Sequence, residues 1–245
     1  MNYLKKYVNN NTNLVNLVFN EIFKKKSMKL DHIAHRTFKN DLVSHTYIKK
    51  HSNFKLMNDR FRFTNHHAYA EWWDNIENKN IYNDSMDKRF YGKPKLFIST
   101  YKGVENDPNL INSNIDIDKI DFHIKNPDSI ISYKLYREIW EKNQYLAWTL
   151  VHRNDINHVA IEVTDINFAF EKVSAILPIN NPETPIQISE DKNLLQFTTK
   201  SSLKSVLFEE GPFNIPHNFI EFIERKNNRN GFSMKNADII FNSTK

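Results

Sequence analysis

The order of elements in the last hundred residues constrains this chain most. NHVAIEV (157–163) reads as a strand, and Asp165 caps a helix over INFAFEKVSAIL that stops before Pro178. Three further strands follow near TPIQIS, NLLQFTT and SVLFEE, with room for one more, and PHNFIEFIER (216–225) closes the series with strong alternation. The order is therefore β-α-β-β-β. A weaker version of it can be laid over residues 31–101, opening on the strand DHIAHRTF (31–38) and a short helix over 42–54. The chain reads as an α+β protein, a single domain over 1–245 built from two modules, 27–127 and 128–245, that close around a shared centre.

The remaining elements follow from local pattern. Leu14, Val15, Leu17, Val18, Ile22 and Phe23 keep helical spacing after Asn11 or Thr12 as cap. HAYAEWWDNI (67–76) looks helical, KPKLFISTY (93–101) is a strand introduced by Pro94, and 102–127, rich in Asn and Asp, reads as loop. SIISYKLYREIWEKNQYLAW (129–148) has the length and apolar spacing of one helix.

Composition removes several classes of function. With no cysteine, disulfides, thiolate metal sites and a cysteine nucleophile are excluded, so any metal must be held by His, Asp or Glu. Only 4 glycines are present, with no phosphate-cradling loop and no G-x-S-x-G elbow. The net charge of +5 comes from scattered lysines rather than one basic face, which argues against nucleic acid as partner. The first residues carry asparagines throughout and no apolar run of signal or membrane length, so a soluble cytoplasmic protein without a membrane partner is expected.

Side chains alternate across a strand, so His32, Ala34 and Arg36 share one face, His158, Ala160 and Glu162 another, and Glu221, Ile223 and Arg225 a third. If these faces converge, His32, His158 and Glu221 supply two imidazoles and a carboxylate. That set leaves open positions on a metal, as non-haem Fe(II) oxygenases need, and also suits Mn or Zn. Taken singly, a histidine in an apolar strand is more often a packed core residue, and 10 histidines make chance pairings easy. The other histidines, including His66, His67, His152 and His217, are read as structural, the tryptophans as packing residues, and Glu224 with Arg225 as a solvated pair.

In this order, DHIAHRTF, KPKLFISTY, NHVAIEV and FIEFIER resemble the 2-oxoadipate dioxygenase/decarboxylase family, also called 2-hydroxyglutarate synthases. The resemblance implies a vicinal-oxygen-chelate-like fold, with paired βαβββ modules forming a curved, partly open β-barrel around a metal site. It implies Fe(II) as cofactor and the conversion of 2-oxoadipate and O₂, without external co-substrate, into 2-hydroxyglutarate and CO₂. The family's metal ligands fall on His32, His158 and Glu221, and its substrate-binding arginine on Arg36. The tail from FIEFIER onward is also similar in layout to the end of 4-hydroxyphenylpyruvate dioxygenase, where a glutamate strand precedes a glycine-phenylalanine turn and a final helix. This chain is much shorter than the longer bacterial members. Two alternatives stay open: another metalloenzyme of this fold, such as an extradiol-type dioxygenase, lyase or isomerase, and a metal-free binding protein.

Overall fold

The computed structural model describes residues 12–38, 54–63, 66–75, 89–92, 94–153, 155–181 and 183–243. Its first half contributes β1 (Met28–Phe38), β2 (Phe54–Phe63), β3 (Ala68–Asn75), β4 (Phe90–Tyr91) and β5 (Lys95–Tyr101). The second half contributes β6 (Ile156–Glu162), β7 (Gln187–Ile188), β8 (Leu194–Thr198), β9 (Leu203–Phe208), β10 (Gly211–Pro216) and β11 (Phe219–Arg225). Among the described residues, nine strands form one mixed sheet in the order β2-β3-β5-β1-β6-β11-β8-β7, with β4 against β1. β1 therefore sits in the middle, parallel to β5 and antiparallel to β6, so strands from both halves meet there. β9 and β10 form a separate hairpin, which includes the extra strand that the sequence leaves room for.

Helices cover both faces. α1 (Thr12–Leu17) runs on into a π-helical turn, and α2 (Pro108–Ile111), α3 (Ile117–Lys125), α4 (Tyr133–Lys142), α5 (Gln144–His152), α6 (Ile166–Ser174) and α7 (Met234–Ser243) follow. Ala34, Trp72, Phe97 and Tyr101 of the sheet pack with Leu135, Ile139, Tyr145 and Leu146 of α4 and α5. On the other side, Ile161, Phe197, Ile220 and Phe222 pack with Val15, Val18, Ile166 and Val173. Ala160 and Ile223 instead join Leu194, so Ala160 and Ile161 of β6, and Phe222 and Ile223 of β11, face different clusters, as strand alternation requires.

Four sequence readings need correction. HAYAEWWDNI is not helical: Ala68–Asn75 lies between β2 and β5. Ala70 and Trp72 join one core and Trp73 another. A strand buried on both faces loses the alternation that reveals it, and ladder pairing overrides the helix propensity of Ala and Glu. Residues 102–127 hold α2 and α3, nucleated where Asp107 and Asp116 accept hydrogen bonds from Asn109 N and Lys119 N. The single helix expected over 129–148 is α4 and α5, broken at Asn143. That buried side chain caps α5 through Leu146 N (3.1 Å) and donates to Asp107 Oδ2 (2.8 Å) and His66 O (3.2 Å). Glu224 and Arg225 do not form a solvated pair: Glu224 accepts from Ile166 N, and Arg225 is paired with the buried Asp31. The helix expected over 42–54 lies outside the described residues except for Phe54, which opens β2. Asp165 caps α6 as read, accepting from Asn167 N and Phe168 N at 3.0 Å. Among the described residues no helix is long and apolar enough to cross a membrane.

Candidate metal centre

β1, β6 and β11 are consecutive neighbours, and their register brings three ionisable side chains to one face. Ala160 of β6 pairs with His32 on one side and Glu221 on the other. His158 is two residues from Ala160 and shares its face. With strands about 4.8 Å apart, His32 and Glu221 start roughly 10 Å apart at the backbone, a gap that an imidazole and a carboxylate can close from opposite sides. The methyl group of Ala160 leaves that gap open.

The three side chains meet there. His158 Nε2 lies 3.2 Å from Glu221 Oε2 and 3.3 Å from His32 Nε2, and His32 Nε2 lies 3.5 Å from Glu221 Oε2. All are buried, and among the described residues this is the one His/Asp/Glu group close enough to hold a metal ion. The far end of each side chain is held by a neighbour. His32 Nδ1 donates to Asp31 Oδ1 at 2.7 Å, His158 Nδ1 donates to Asn157 Oδ1 at 3.1 Å, and Glu221 Oε1 accepts from Gln196 Nε2. Gln196 is itself held by Asn236 Nδ2 of α7 at 2.8 Å. Because a carboxylate or amide oxygen can only accept, these contacts assign the proton of each neutral ring to Nδ1. Both Nε2 lone pairs then face Glu221 Oε2. Three acceptors so close repel one another unless a positive charge lies between them.

Without a metal, a proton plays that part. Burial opposes charge on His32, but the Glu221 carboxylate and the Asp31 hydrogen bond outweigh it and raise its pKa. Burial likewise pushes Glu221 up, yet the positive charge on His32 brings it down to about 2. His158, more affected by burial than by Glu221, falls to about 4. A divalent cation fits this set of two imidazole nitrogens and one carboxylate oxygen, with Fe, Mn and Zn all compatible.

Asp31 was not legible as part of this site, because adjacent residues of a regular strand face opposite ways. The β1–β6 register slips between Leu30 and His32, and a bulge re-aims side chains locally, which lets Asp31 meet the ring next to it. Gln196 and Asn157 were also missed; Asn157 had the weak signal of standing next to His158. Trp72 and Phe232 meet the His32 ring edge-on at 5.5 and 5.2 Å, and Phe219 stacks on His158 at 4.7 Å. The site is thus walled by aromatic surface that keeps bulk water out.

Arg36 lies beyond Ala34 on the His32 face and is buried. Its guanidinium carbon sits 5.1 Å from the Tyr145 ring centre and 5.3 Å from Trp148. Those contacts hold a flat cation in place. Burial lowers its pKa to about 10, which keeps it charged at neutral pH. Asp31 and Glu162, the acids best placed in sequence to pair with it, are engaged elsewhere, Asp31 with Arg225 and Glu162 with Lys29.

Behind Trp148 lies a second buried polar group. Asp155 accepts from His217 Nε2 and Lys204 Nζ, each at 3.1 Å, and from Ile156 N at 2.9 Å. Trp148 Nε1 donates to His217 O, and Arg36 N to Asp155 O at 3.3 Å. This group anchors the start of β6 and the back of Trp148. Burial raises the Asp155 pKa, but the His217 bond and the Lys204 charge outweigh it and hold the carboxyl well below the usual range. A depressed native pKa adds stability above the unfolded value, about 3.9, and that gain is lost as pH falls below it. Asp155→Asn should therefore unfold more easily at pH 7, by about 1–3 kcal/mol. The gap to wild type should narrow below about pH 4. Urea midpoints at pH 7 and pH 3.5 check this, and an equal gap at both would exclude the ionised Asp155 as its source.

No protein-family model matches the chain. The chloroplastic 2-oxoadipate dioxygenase/decarboxylase of Arabidopsis thaliana is 28% identical over 134 residues, which are 44% of this chain and 36% of that protein. The aligned segment thus spans little more than a third of that relative. Among solved structures, the hydroxyglutarate synthase of Oryza sativa in complex with 2-oxoadipate superposes with a TM-score of 0.81 at 23% identity, covering 99% of this chain and 89% of the other. A Ralstonia eutropha protein assigned provisionally to the glyoxalase superfamily superposes with a TM-score of 0.60 at 15% identity, covering 82% and 73%. The fold is accordingly of the vicinal-oxygen-chelate type, a curled, half-barrel mixed sheet with helices. The chain is thus similar in sequence, over 134 residues, to a curated 2-oxoadipate dioxygenase/decarboxylase, and in fold to a solved hydroxyglutarate synthase.

Proposed function

We propose that the chain is an Fe(II)-dependent dioxygenase/decarboxylase of a 2-oxo acid such as 2-oxoadipate, giving 2-hydroxyglutarate and CO₂. The observation that carries the reading is the convergence of His32 Nε2, His158 Nε2 and Glu221 Oε2 within 3.5 Å, with Arg36 on the same strand face as His32. When bound, Fe(II) supplies an electrophilic centre with open positions for an oxo acid and O₂.

The chain's own residues do the rest. Arg36 stands about four strand residues, roughly 13 Å of backbone, beyond His32, and clamps the distal carboxylate of the acid. Tyr145 and Trp148 keep its guanidinium flat against the wall. Ala34, between His32 and Arg36, leaves room for the carbon chain. Trp72, Phe97 and Phe232, packed on one another, exclude water from the reacting end. The carbon skeleton is thus held at both ends and selected for length. Oxidative loss of CO₂ supplies two of the four electrons that reduce O₂ and hydroxylation of the carbon chain supplies the other two, so one oxygen atom ends in the new carboxylate and the other in the new hydroxyl of the shortened acid.

Anaerobic loading with Fe(II), followed by an oxygen electrode and a panel of 2-oxo acids, tests this. O₂ uptake should require a 2-oxo acid, with CO₂ released in step. A need for separately added 2-oxoglutarate, with succinate formed, would contradict it. Uptake with catechols alone would point to extradiol chemistry on the same ligands.

A further inference from the structure

Arg225 ends β11, two strand steps past Glu221 on the same face. Its Nε donates to Asp31 Oδ2 at 2.6 Å and Nη2 to Asp31 Oδ1 at 3.0 Å, a forked pair with both side chains buried. Its Nη1 donates to the carbonyls of Arg229 at 3.3 Å and Gly231 at 2.9 Å. Asp31, through Oδ1, takes the Nδ1 proton of His32. Gly231, with φ +81, makes the turn that delivers Phe232 to the edge of the His32 ring. One cation therefore reaches His32 by two routes, through Asp31 and through the turn that seats Phe232.

We infer that Arg225 and Asp31 are positioning residues of the metal centre: together they fix the tautomer and ring plane of His32 so that its Nε2 lone pair meets the ion. The inference rests on the metal reading of His32, His158 and Glu221. The physical reason is directional. An imidazole free to turn about its bonds, or to carry its proton on Nε2, presents a lone pair to the site only part of the time. An ionised carboxylate on Nδ1–H removes that freedom and makes Nε2 more basic. A buried carboxylate alone is costly, and the forked Arg225 offsets that cost while also closing the turn behind the ring. The 194-residue separation of the two partners makes the link a property of the fold, in which the strand bearing Glu221 also supplies the support for His32.

The test uses the full chain and Co(II) as a spectroscopic probe in place of Fe(II). Asp31→Asn and Arg225→Met should each weaken Co(II) binding, measured against a competing chelator, by about 10–100-fold. The ligand-field spectrum of the bound Co(II) should change in both. Because Arg225 includes the Asp31 route in its own support of His32, the double variant should lose less than the sum of the two single losses. Arg225→Lys keeps the charge without the fork, so it should restore affinity in part. A purely structural pair would lower the melting temperature of every variant while leaving Co(II) affinity and spectrum at wild-type values, and that result overturns the inference. If Arg225→Met fails to fold, Asp31→Asn, which keeps the side-chain shape, decides alone. A wild-type chain that takes up neither Fe(II) nor Co(II) overturns the metal reading itself and the inference with it, an outcome distinct from binding that is intact in all variants.

Discussion

On the proposed iron reading, Glu221→Gln should strip the protein of most of its iron and lower kcat/KM by about 1000-fold or more while leaving a folded chain. Glutamine keeps the shape of the side chain, so the change is one of charge. A unit charge facing another at about 4 Å, in surroundings with an effective dielectric constant near 20, is worth about 4 kcal/mol, and about 1.4 kcal/mol is tenfold. A divalent ion feels the loss more. His32→Ala and His158→Ala should behave alike, since each removes one of the three atoms that converge within 3.5 Å. Lower pH should act in the same direction in wild type, because a proton on His32 competes with the ion and the raised pKa of that ring starts the competition above the ordinary imidazole range. Iron content by metal analysis, with far-UV circular dichroism on the same samples, checks all three variants. Full iron with wild-type turnover in Glu221→Gln would remove Glu221 from the site.

How far such a site can be read ahead of the structure depends on which interactions follow the chain and which cross it. β1, β6 and β11 were legible because each sets aliphatic and aromatic residues at strand spacing among ionisable ones, whose parity assigns them a face. Parity alone puts His32, His158 and Glu221 on usable faces, and the family motifs supply the pairing that parity cannot. β3 was not legible, since neighbours on both sides and cores on both faces remove the alternation. The break at Asn143 was hidden too. Its cause is a set of bonds to His66 and Asp107, which lie 77 and 36 residues away.

The supporting residues of the site failed to show for the same reason. Asp31 stands beside His32 in sequence, but a regular strand would send it to the other face, and only the register slip of β1 against β6 brings it round. Arg225 looked like a solvent-exposed partner for Glu224, and its true partner lies at the other end of the chain. Gln196 and Asn236 hold Glu221 through a chain of hydrogen bonds between β8, β11 and α7. No periodicity marks such residues. They become visible when asked where each buried polar atom finds its partner.

On the same reading, Arg36→Ala should keep the iron, since the three proposed ligands are untouched, yet lose the preference for dicarboxylic oxo acids that the clamp would give. A charge-assisted hydrogen bond contributes about 1.5–3 kcal/mol, so kcat/KM for 2-oxoadipate should fall by about 10–100-fold. A monocarboxylic oxo acid of equal length has no distal charge to clamp and should lose far less. The rival account makes Arg36 a structural cation. Asp31 is bound to Arg225 and Glu162 to Lys29, and Arg36 lies against Tyr145 and Trp148. Removing it also opens space between two aromatic rings, so some loss of stability is expected whichever account holds. Stability alone therefore cannot separate them, and the contrast between substrates can. Arg36→Lys sharpens it: lysine keeps the positive charge but not the planar fork, so discrimination should be recovered in part and stacking on Trp148 lost. Measuring kcat/KM for the matched pair of acids on wild type and both variants, with iron content and melting temperature on the same samples, reads each effect separately. Equal losses for the two acids would leave His32 as the one functional group on its strand face, and the length selection would then have to come from the aromatic wall.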